Sequence, residues 1–374
     1  MAKVTIIGCG VVGAAIAYEL SRQPGLEVTL VDQQPPAQGS TGAALGVLMG
    51  IVSHKLKGRA WQLRQTSLLR YETLVPELEA ITGQKIPYNR HGLVLLATAA
   101  HQIEQWRTLA VAREAQGWEL DIWEPATLKE YCPQVNIEGL WGAMYSPSDR
   151  QIDPVALTQA LVKAAKKNGV KSRFDLKITN LQQQLAQENL EADWIILATA
   201  LGTKELTATI SQREGYANET PVDIRPVLGQ AIELELPEIL GNPDFQPVIT
   251  GNDIHIVPIT SIMPSANHGS DYEAYHYWVG ATVEFADAQG QIQAQGELLE
   301  KVKQGAIAFC PELALGSIVK TWSGLRPRPE AQPAPIIQKL PGQEKIILAT
   351  GHYRNGVLLA PATAIAVRDL LGNL

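Results

Sequence analysis

The sequence predicts an α/β fold in which a Rossmann-like, doubly wound dinucleotide-binding domain is interleaved with a second domain built on an antiparallel sheet. Three observations lead there. The chain opens on a complete βαβ unit, "KVTIIGCGVVGAAIAYELSRQPGLEVTLVD", Lys3 to Asp32. Strand and helix patterns of the same kind return after Asp153 and again at the C-terminus. Between them, from "RPVLGQAIELEL" through "YHYWVGATVEF", apolar and polar residues alternate as in antiparallel strands with one wet face. These pieces divide the chain into 1–85, 148–215 and 322–374 for the nucleotide domain and 86–147 and 216–321 for the other. A length of 374 residues is enough for about two domains with a sizeable core. The lack of repeats, low-complexity tracts and hydrophilic linkers fits interleaving rather than domains in tandem.

In the opening unit, Gly8, Gly10 and Gly13 fall on G-x-G-x-x-G between strand and helix. The first glycine permits the tight turn, the second lets backbone approach a pyrophosphate, and the third lets helix and strand pack closely. Val11 and Val12 then open a helix whose free N–H groups and positive dipole end face that pyrophosphate. Asp32 ends the second strand, 22 residues after Gly10, placed to accept from a ribose hydroxyl. Gln33 and Gln34 follow it with no arginine for a 2'-phosphate, which disfavours NADP and leaves NAD and FAD open.

The remaining elements follow in order. "QGSTGAALGVLMG", Gln38 to Gly50, is a small-residue loop, and helical spacing runs from about Gly58 to Ile81. "RHGLVLLAT" reads as a strand, "HQIEQWRTLAVAREAQGW" as a helix, and "EPATLKEYCP" as a short helix closed by proline. Asp153-Pro154 starts a helix as an N-cap followed by a first-turn proline. "LKITNLQQ" and "ADWIILATA" are expected as strands. "GSIVKTWSGLRPRPEAQPAPIIQKLPG" and "KIILATGHYRNGV" return to loop, strand and glycine turn, before a closing helix almost bare of charge.

Composition narrows the partners. With 31 Lys and Arg against 38 Asp and Glu, and no basic run, nucleic acid is not expected. Cys9, Cys132 and Cys310 are scattered without CxxC spacing, which points to reduced thiols in a cytoplasmic setting and to no metal. A strand begins by Lys3, so no secretory leader is expected. The apolar stretch Ala43 to Val52 is roughly half the ~20 residues of a membrane span, so no transmembrane segment is expected.

Five stretches in this order, "TIIGCGVVGAAIAYELS", "STGAALGVLMG", "IDPVALTQAL", "WSGLRPRP" and "GHYRNGVLLAPAT", resemble the glycine oxidase and D-amino-acid oxidase family of FAD-dependent amine oxidoreductases, nearest the glycine oxidases of thiamine biosynthesis. The resemblance implies a glutathione-reductase-like FAD-binding domain. It also implies that Ser40, Thr41, Ala44, Gly46, Val47 and Leu48 contact the cofactor, with Ile178, Ala200 and Gly202 from the middle of the chain. Gly351, His352, Tyr353, Arg354, Asn355 and Gly356 would wrap the flavin ring, and the helix opened by Val357 and Leu358 would point its positive end at the ring edge that gains charge on reduction. Family members with covalent flavin carry a cysteine near the stretch occupied here by Leu325 to Pro329. None is present, so noncovalent FAD is expected.

By the same resemblance Arg326 takes the substrate carboxylate in a bidentate pair; its alternative is a structural salt bridge between domains. Arg354 either faces the substrate or braces the flavin loop. His255 stands where glycine oxidases tend to place a tyrosine over the substrate, and is either a pocket residue or an ordinary strand histidine. Tyr277 and Trp278 are expected as bulky neighbours of a small pocket, while Tyr272, Tyr275 and Tyr277 otherwise read as packing. "EAQPAPIIQ" departs from the family's usual Asp-Gly-x-Pro run, and Asp32 replaces a more frequent glutamate. The implied activity is oxidative deamination of a small amino acid, glycine first, with sarcosine and small D-amino acids behind it, and with dioxygen as acceptor. Open alternatives are a D-amino-acid or secondary-amine dehydrogenase feeding a quinone or carrier, an NAD-dependent dehydrogenase, and a flavin-binding scaffold without turnover. Homo-oligomerisation is left open.

Overall fold

A computed structural model describes residues 1–190, 192–211, 222–259, 274–287 and 289–372. The βαβ unit forms as expected: the strands Ala2–Ile7 and Leu26–Val31 lie parallel, joined by the helix Val11–Ser21. They sit in a six-stranded sheet whose order is Ile336–Leu340, Gln343–Thr350, Trp194–Leu197, Ala2–Ile7, Leu26–Val31, Lys171–Arg173. All neighbours are parallel except the first pair. The inner strands Ala2–Ile7, Leu26–Val31 and Trp194–Leu197 are mostly apolar and the helix Val11–Ser21 is buried along most of its length, as elements covered on both sides must be, while the edge strand Lys171–Arg173 is polar.

An eight-stranded sheet takes the order Ser317–Pro329, Ile224–Leu236, Tyr275–Gly280, Ile254–Ile259, Val248–Gly251, Leu93–Ala97, Gly142–Ser146, Asp121–Trp123. It is antiparallel apart from one parallel pair, Val248–Gly251 with Leu93–Ala97, so the sheet is mixed where alternation alone suggested antiparallel. A small sheet of Val47–Leu48, Arg150–Ile152 and Tyr88–Asn89 bridges the chain segments between the two. The strand Ser317–Pro329 pairs along its length with Ile224–Leu236, so "WSGLRPRP" belongs to the larger sheet, across the expected boundary at 322.

The helix expected from Gly58 spans Arg59–Thr82, and that after Asp153 spans Pro154–Lys167 with the Asp153 carboxylate accepting from Val155 N and Ala156 N at 2.8 and 2.9 Å. "LKITNLQQ" is a correction: its second half begins the helix Leu181–Gln187, capped by Asn180. Leu181 and Leu185, one turn apart, are both buried, a period of four that outweighs the β-branched residues before them. The closing helix, Gly356–Leu371, packs against both Val11–Ser21 and Arg59–Thr82. Its Pro361 carries no N–H for the Val357 carbonyl one turn back. Tyr71 of the neighbouring helix donates its hydroxyl to that carbonyl at 2.5 Å, and Ser67 Oγ accepts from Ala362 N at 3.2 Å. Two residues on another helix thus complete a ladder that the proline breaks. No described helix is long and apolar enough to cross a membrane, and the three cysteines are buried and unpaired.

Candidate active site

A cavity of about 660 Å³ runs between the two sheets, within the range of about 300–1,000 Å³ of cofactor and ligand sites. At one end lies the glycine turn. Gly8 has φ +106°, and a Cβ there would lie 2.4 Å from the Ala198 carbonyl oxygen. A Cβ on Gly13 would lie 1.9 Å from the Gly8 oxygen, so Gly13 serves helix packing and does not line the cavity. Gly10 differs: its Cβ would meet only Thr41 Oγ1, at 3.1 Å, and would otherwise enter free space in the cavity. Val11 N donates to Thr41 Oγ1 at 3.0 Å; the next first-turn amides have no acceptor within the helix and remain for a ligand.

Asp32 lines this end, and its oxygens already accept from Cys9 N at 2.5 Å and Gln34 N at 2.9 Å. Each oxygen keeps a lone pair for a ribose hydroxyl. Gln33, Ser40, Ala44, Gly46 and Val47 join it in the lining, with Ile178, Ala200 and Gly202 opposite. Leu48 does not: it is fully buried in the core beneath the loop. Cys9 also lines the cavity; burial and the neighbouring Asp32 charge push its thiol up to about 12, which keeps it protonated.

At the other end, Gly351, His352, Tyr353, Arg354, Gly356 and Val357 form the wall at the start of the closing helix. Leu358, 2% exposed, faces the core, and Asn355, at the helix N-cap, is likewise absent from the lining. His352 is buried with Nε2 2.9 Å from Thr363 Oγ1, and desolvation pulls its pKa down to about 3.

Arg326, Arg354 and His255 meet in the same cavity from three distant segments. The Arg326 guanidinium lies over Gly229, where a Cβ would come within 2.2 Å of Nη2. Nη1 donates to the Leu228 and Thr282 carbonyls at 3.1 and 2.9 Å. Among the described residues no carboxylate pairs with it, and its remaining N–H groups have no acceptor among them. Desolvation and the charge of Arg354 both lower its pKa. His255 places Nδ1 2.9 Å from Thr250 Oγ1, and desolvation above all lowers its pKa to about 4. It is a cavity residue, neutral near pH 7. Arg354 pairs with Asp253 Oδ1 at 3.6 Å.

Tyr277 and Trp278 do not line the cavity. The Tyr277 hydroxyl accepts from Leu240 N at 2.8 Å in the core, and the Trp278 ring packs edge-on against Trp322 at 5.7 Å. Opposite His255 in the strand register stands Gly280. Tyr272 lies outside the described residues. Sequence reading missed Gly229, Asp253 and the carbonyl acceptors Leu228 and Thr282. A buried Glu284 accepts from the Gln230 amide at 2.8 Å and from the Thr282 hydroxyl, holding the segment that presents the Thr282 carbonyl to Arg326. Only Gly229, inside an apolar strand, left a sequence signal, that of a close approach.

A glycine-turned parallel sheet, a terminal acid and a cofactor-sized cavity closed by a second sheet define a dinucleotide-binding oxidoreductase. Residues 3–370 match the family model described as FAD dependent oxidoreductase, the DAO family, and the chain belongs to that family. It is 30% identical over 377 residues to the bifunctional protein ThiO/ThiG of Nostoc sp., covering 98% of this chain and 52% of that protein. The chain therefore spans about half the length of these bifunctional relatives. It is 26% identical over 371 residues to the glycine oxidase of Geobacillus kaustophilus, covering 98% and 92% of the two chains. The crystal structure of glycine oxidase from that organism superposes with a TM-score of 0.81 at 23% identity, over 99% of this chain and 95% of that one, which establishes the shared fold. The cavity fits the family's cofactor: free space faces Gly10, unpaired amides open the first helix, and Asp32 keeps acceptor capacity.

Proposed function

We propose that the protein oxidatively deaminates a small amino acid, glycine first and sarcosine or small D-amino acids next, to the imine and then the oxo acid and ammonia, with release of hydrogen peroxide. The observation that carries this reading is Arg326: a desolvated guanidinium in the cavity wall, fixed through Nη1 by two carbonyls and, among the described residues, without a carboxylate of its own. FAD, held noncovalently, would supply the acceptor for the hydride leaving the α-carbon.

The chain's own residues do the rest. Arg326 takes the carboxylate through two parallel hydrogen bonds, fixing the α-carbon in place so that positioning replaces most acid-base chemistry. His255, with a pKa of about 4, is a weak base, so the ammonium proton leaves to solvent and the ring serves as a neutral wall. The start of the helix Gly356–Leu371 presents roughly half a positive charge to the cavity end where negative charge develops. In this reading the larger sheet shapes the substrate side, the six-stranded sheet holds the cofactor, and the boundary between domains falls at about Glu330 rather than 322.

A peroxide-release screen over glycine, sarcosine and D-amino acids, run beside anaerobic bleaching of the flavin, tests this. Bleaching with peroxide release on reoxidation supports it; bleaching without peroxide moves the protein to a dehydrogenase, and no bleaching by any amino acid refutes amine oxidation.

A further inference from the structure

We propose that Glu284 is a positioning residue for the substrate carboxylate: from behind the Thr282 peptide it fixes the two carbonyls that aim Arg326, and it leaves the remaining N–H groups of the guanidinium to the ligand. The inference rests on the carboxylate role of Arg326 and adds the residue that sets its aim.

Glu284 is 2% exposed, and among the described residues no cation contacts it. Its carboxylate collects neutral donors instead. Oε1 accepts from the Gln230 side-chain amide at 2.8 Å and from the Thr282 hydroxyl, and Oε2 accepts from Gln295 N at 2.8 Å. Gln295 is the N-cap of the helix Gly296–Phe309, so the carboxylate sits at the positive end of a helix, which offsets its burial.

Both carbonyls that hold Arg326 are tied to this residue. Leu228 and Glu284 exchange backbone hydrogen bonds in each direction, both at 2.9 Å. Thr282 is held three ways: its N donates to Gln230 O at 3.1 Å, its hydroxyl accepts from Gln230 N at 2.8 Å, and the same hydroxyl donates to Glu284. Because Gln230 N already donates to that oxygen, the hydroxyl proton is free for the carboxylate. The Leu228 and Thr282 carbonyls then receive Arg326 Nη1 at 3.1 and 2.9 Å. A carboxylate bonded to Arg326 itself would take the parallel N–H pair that a substrate needs. Set one peptide back, Glu284 stiffens the acceptors and takes none of the donors.

The charge of Glu284 also reaches Arg326: desolvation above all lowers the Arg326 pKa, and Glu284 opposes that fall. Charge and position predict opposite signs. A carboxylate acting only by charge repels the substrate carboxylate, so its removal would tighten binding. One acting by position loosens binding when removed.

The test titrates the flavin absorbance of holoenzyme with acetate and follows steady-state kinetics on glycine. Glu284→Ala should weaken acetate binding and raise KM for glycine about tenfold, the size of a lost hydrogen bond to a charged group, with kcat nearly unchanged. Glu284→Gln, which keeps one oxygen for Gln230 and Thr282, should fall between. Thr282→Val keeps the carbonyl and the side-chain shape, and should reproduce the Glu284→Ala loss even if that variant does not fold. In an Arg326→Ala background the same substitutions should cost no further kcat/KM, whereas a merely structural role would cost as much there as in wild type. Unchanged or tighter acetate binding in Glu284→Gln and Thr282→Val, or an undiminished loss in the Arg326→Ala background, overturns the proposal while Arg326 keeps its role. If Arg326→Ala alone leaves acetate affinity unchanged, the carboxylate reading fails, and the assignment of Glu284 falls with it.

Discussion

The two ends of the cavity are built by different means. The glycine-turn end comes from contiguous chain: Gly8 to Gly13 and Asp32 lie on one βαβ unit, and their partners are backbone atoms at fixed positions. The end holding Arg326 is assembled from afar: Arg326 takes carbonyls 98 and 44 residues away, and His255 and Arg354 arrive from two further segments. A local site tolerates no added atom in its backbone contacts, whereas an assembled site tolerates shifts but loses alignment. Substitutions at the two ends should therefore fail differently.

The largest expected contrast lies within the glycine turn. Gly13→Val drives a Cβ into the Gly8 carbonyl, at 1.9 Å, and should abolish folding, read as loss of soluble, cooperatively melting protein. Gly10→Val meets only Thr41 Oγ1 and should give folded protein without flavin. Full flavin content in the Gly10 variant would break the comparison.

Next in size is an acid limb at the assembled end. His255 and His352 have folded pKa values of about 4 and about 3, below their ordinary 6.5. The folded chain thus binds fewer protons than the unfolded chain, and stability is full above pH 6.5 and falls as pH drops toward 4. The slope reaches at most about 2.7 kcal/mol per pH unit for two groups. Urea unfolding at several pH values measures it, and His255→Gln should remove about half.

Gly229→Ala sharpens the difference further. The added methyl lies 2.2 Å from Arg326 Nη2, so the guanidinium moves while the fold survives; KM for the amino acid should rise about tenfold, near 1.4 kcal/mol, with flavin content unchanged. Steady-state kinetics with a flavin spectrum checks both parts. The smallest effect is expected at Tyr71→Phe, which strands the Val357 carbonyl beneath Pro361 and should lower stability by about 1–3 kcal/mol with little change in kcat/KM. Thermal melting and steady-state kinetics measure the two together.

Legibility followed the same division. The βαβ unit, the Asp153 cap and the closing loop were readable because each signal is local: a glycine spacing, a cap before a proline, a short loop opening a helix. Tyr277 and Trp278 were misplaced as pocket neighbours because alternation says that two adjacent strand residues point apart but not which layers cover each face. Leu48 and Leu358 were assigned to the cofactor by position in a motif, and packing turns both into the core. Arg326 was legible as a candidate, but Gly229 beneath it and Glu284 behind it depend on the pairing of three strand segments that no local pattern encodes.

The central claim is that Arg326 holds the substrate carboxylate. Removing one partner of a buried charged pair costs on the order of 3–5 kcal/mol, so Arg326→Ala should lower kcat/KM for glycine by roughly two to three powers of ten, with Arg326→Lys between. The most direct measurement is titration of the flavin absorbance of wild type and Arg326→Ala with acetate, a carboxylate that cannot be oxidised. The account predicts a saturable perturbation in wild type that weakens at least a hundredfold in the variant at equal flavin content; equal acetate affinity in the two would contradict it.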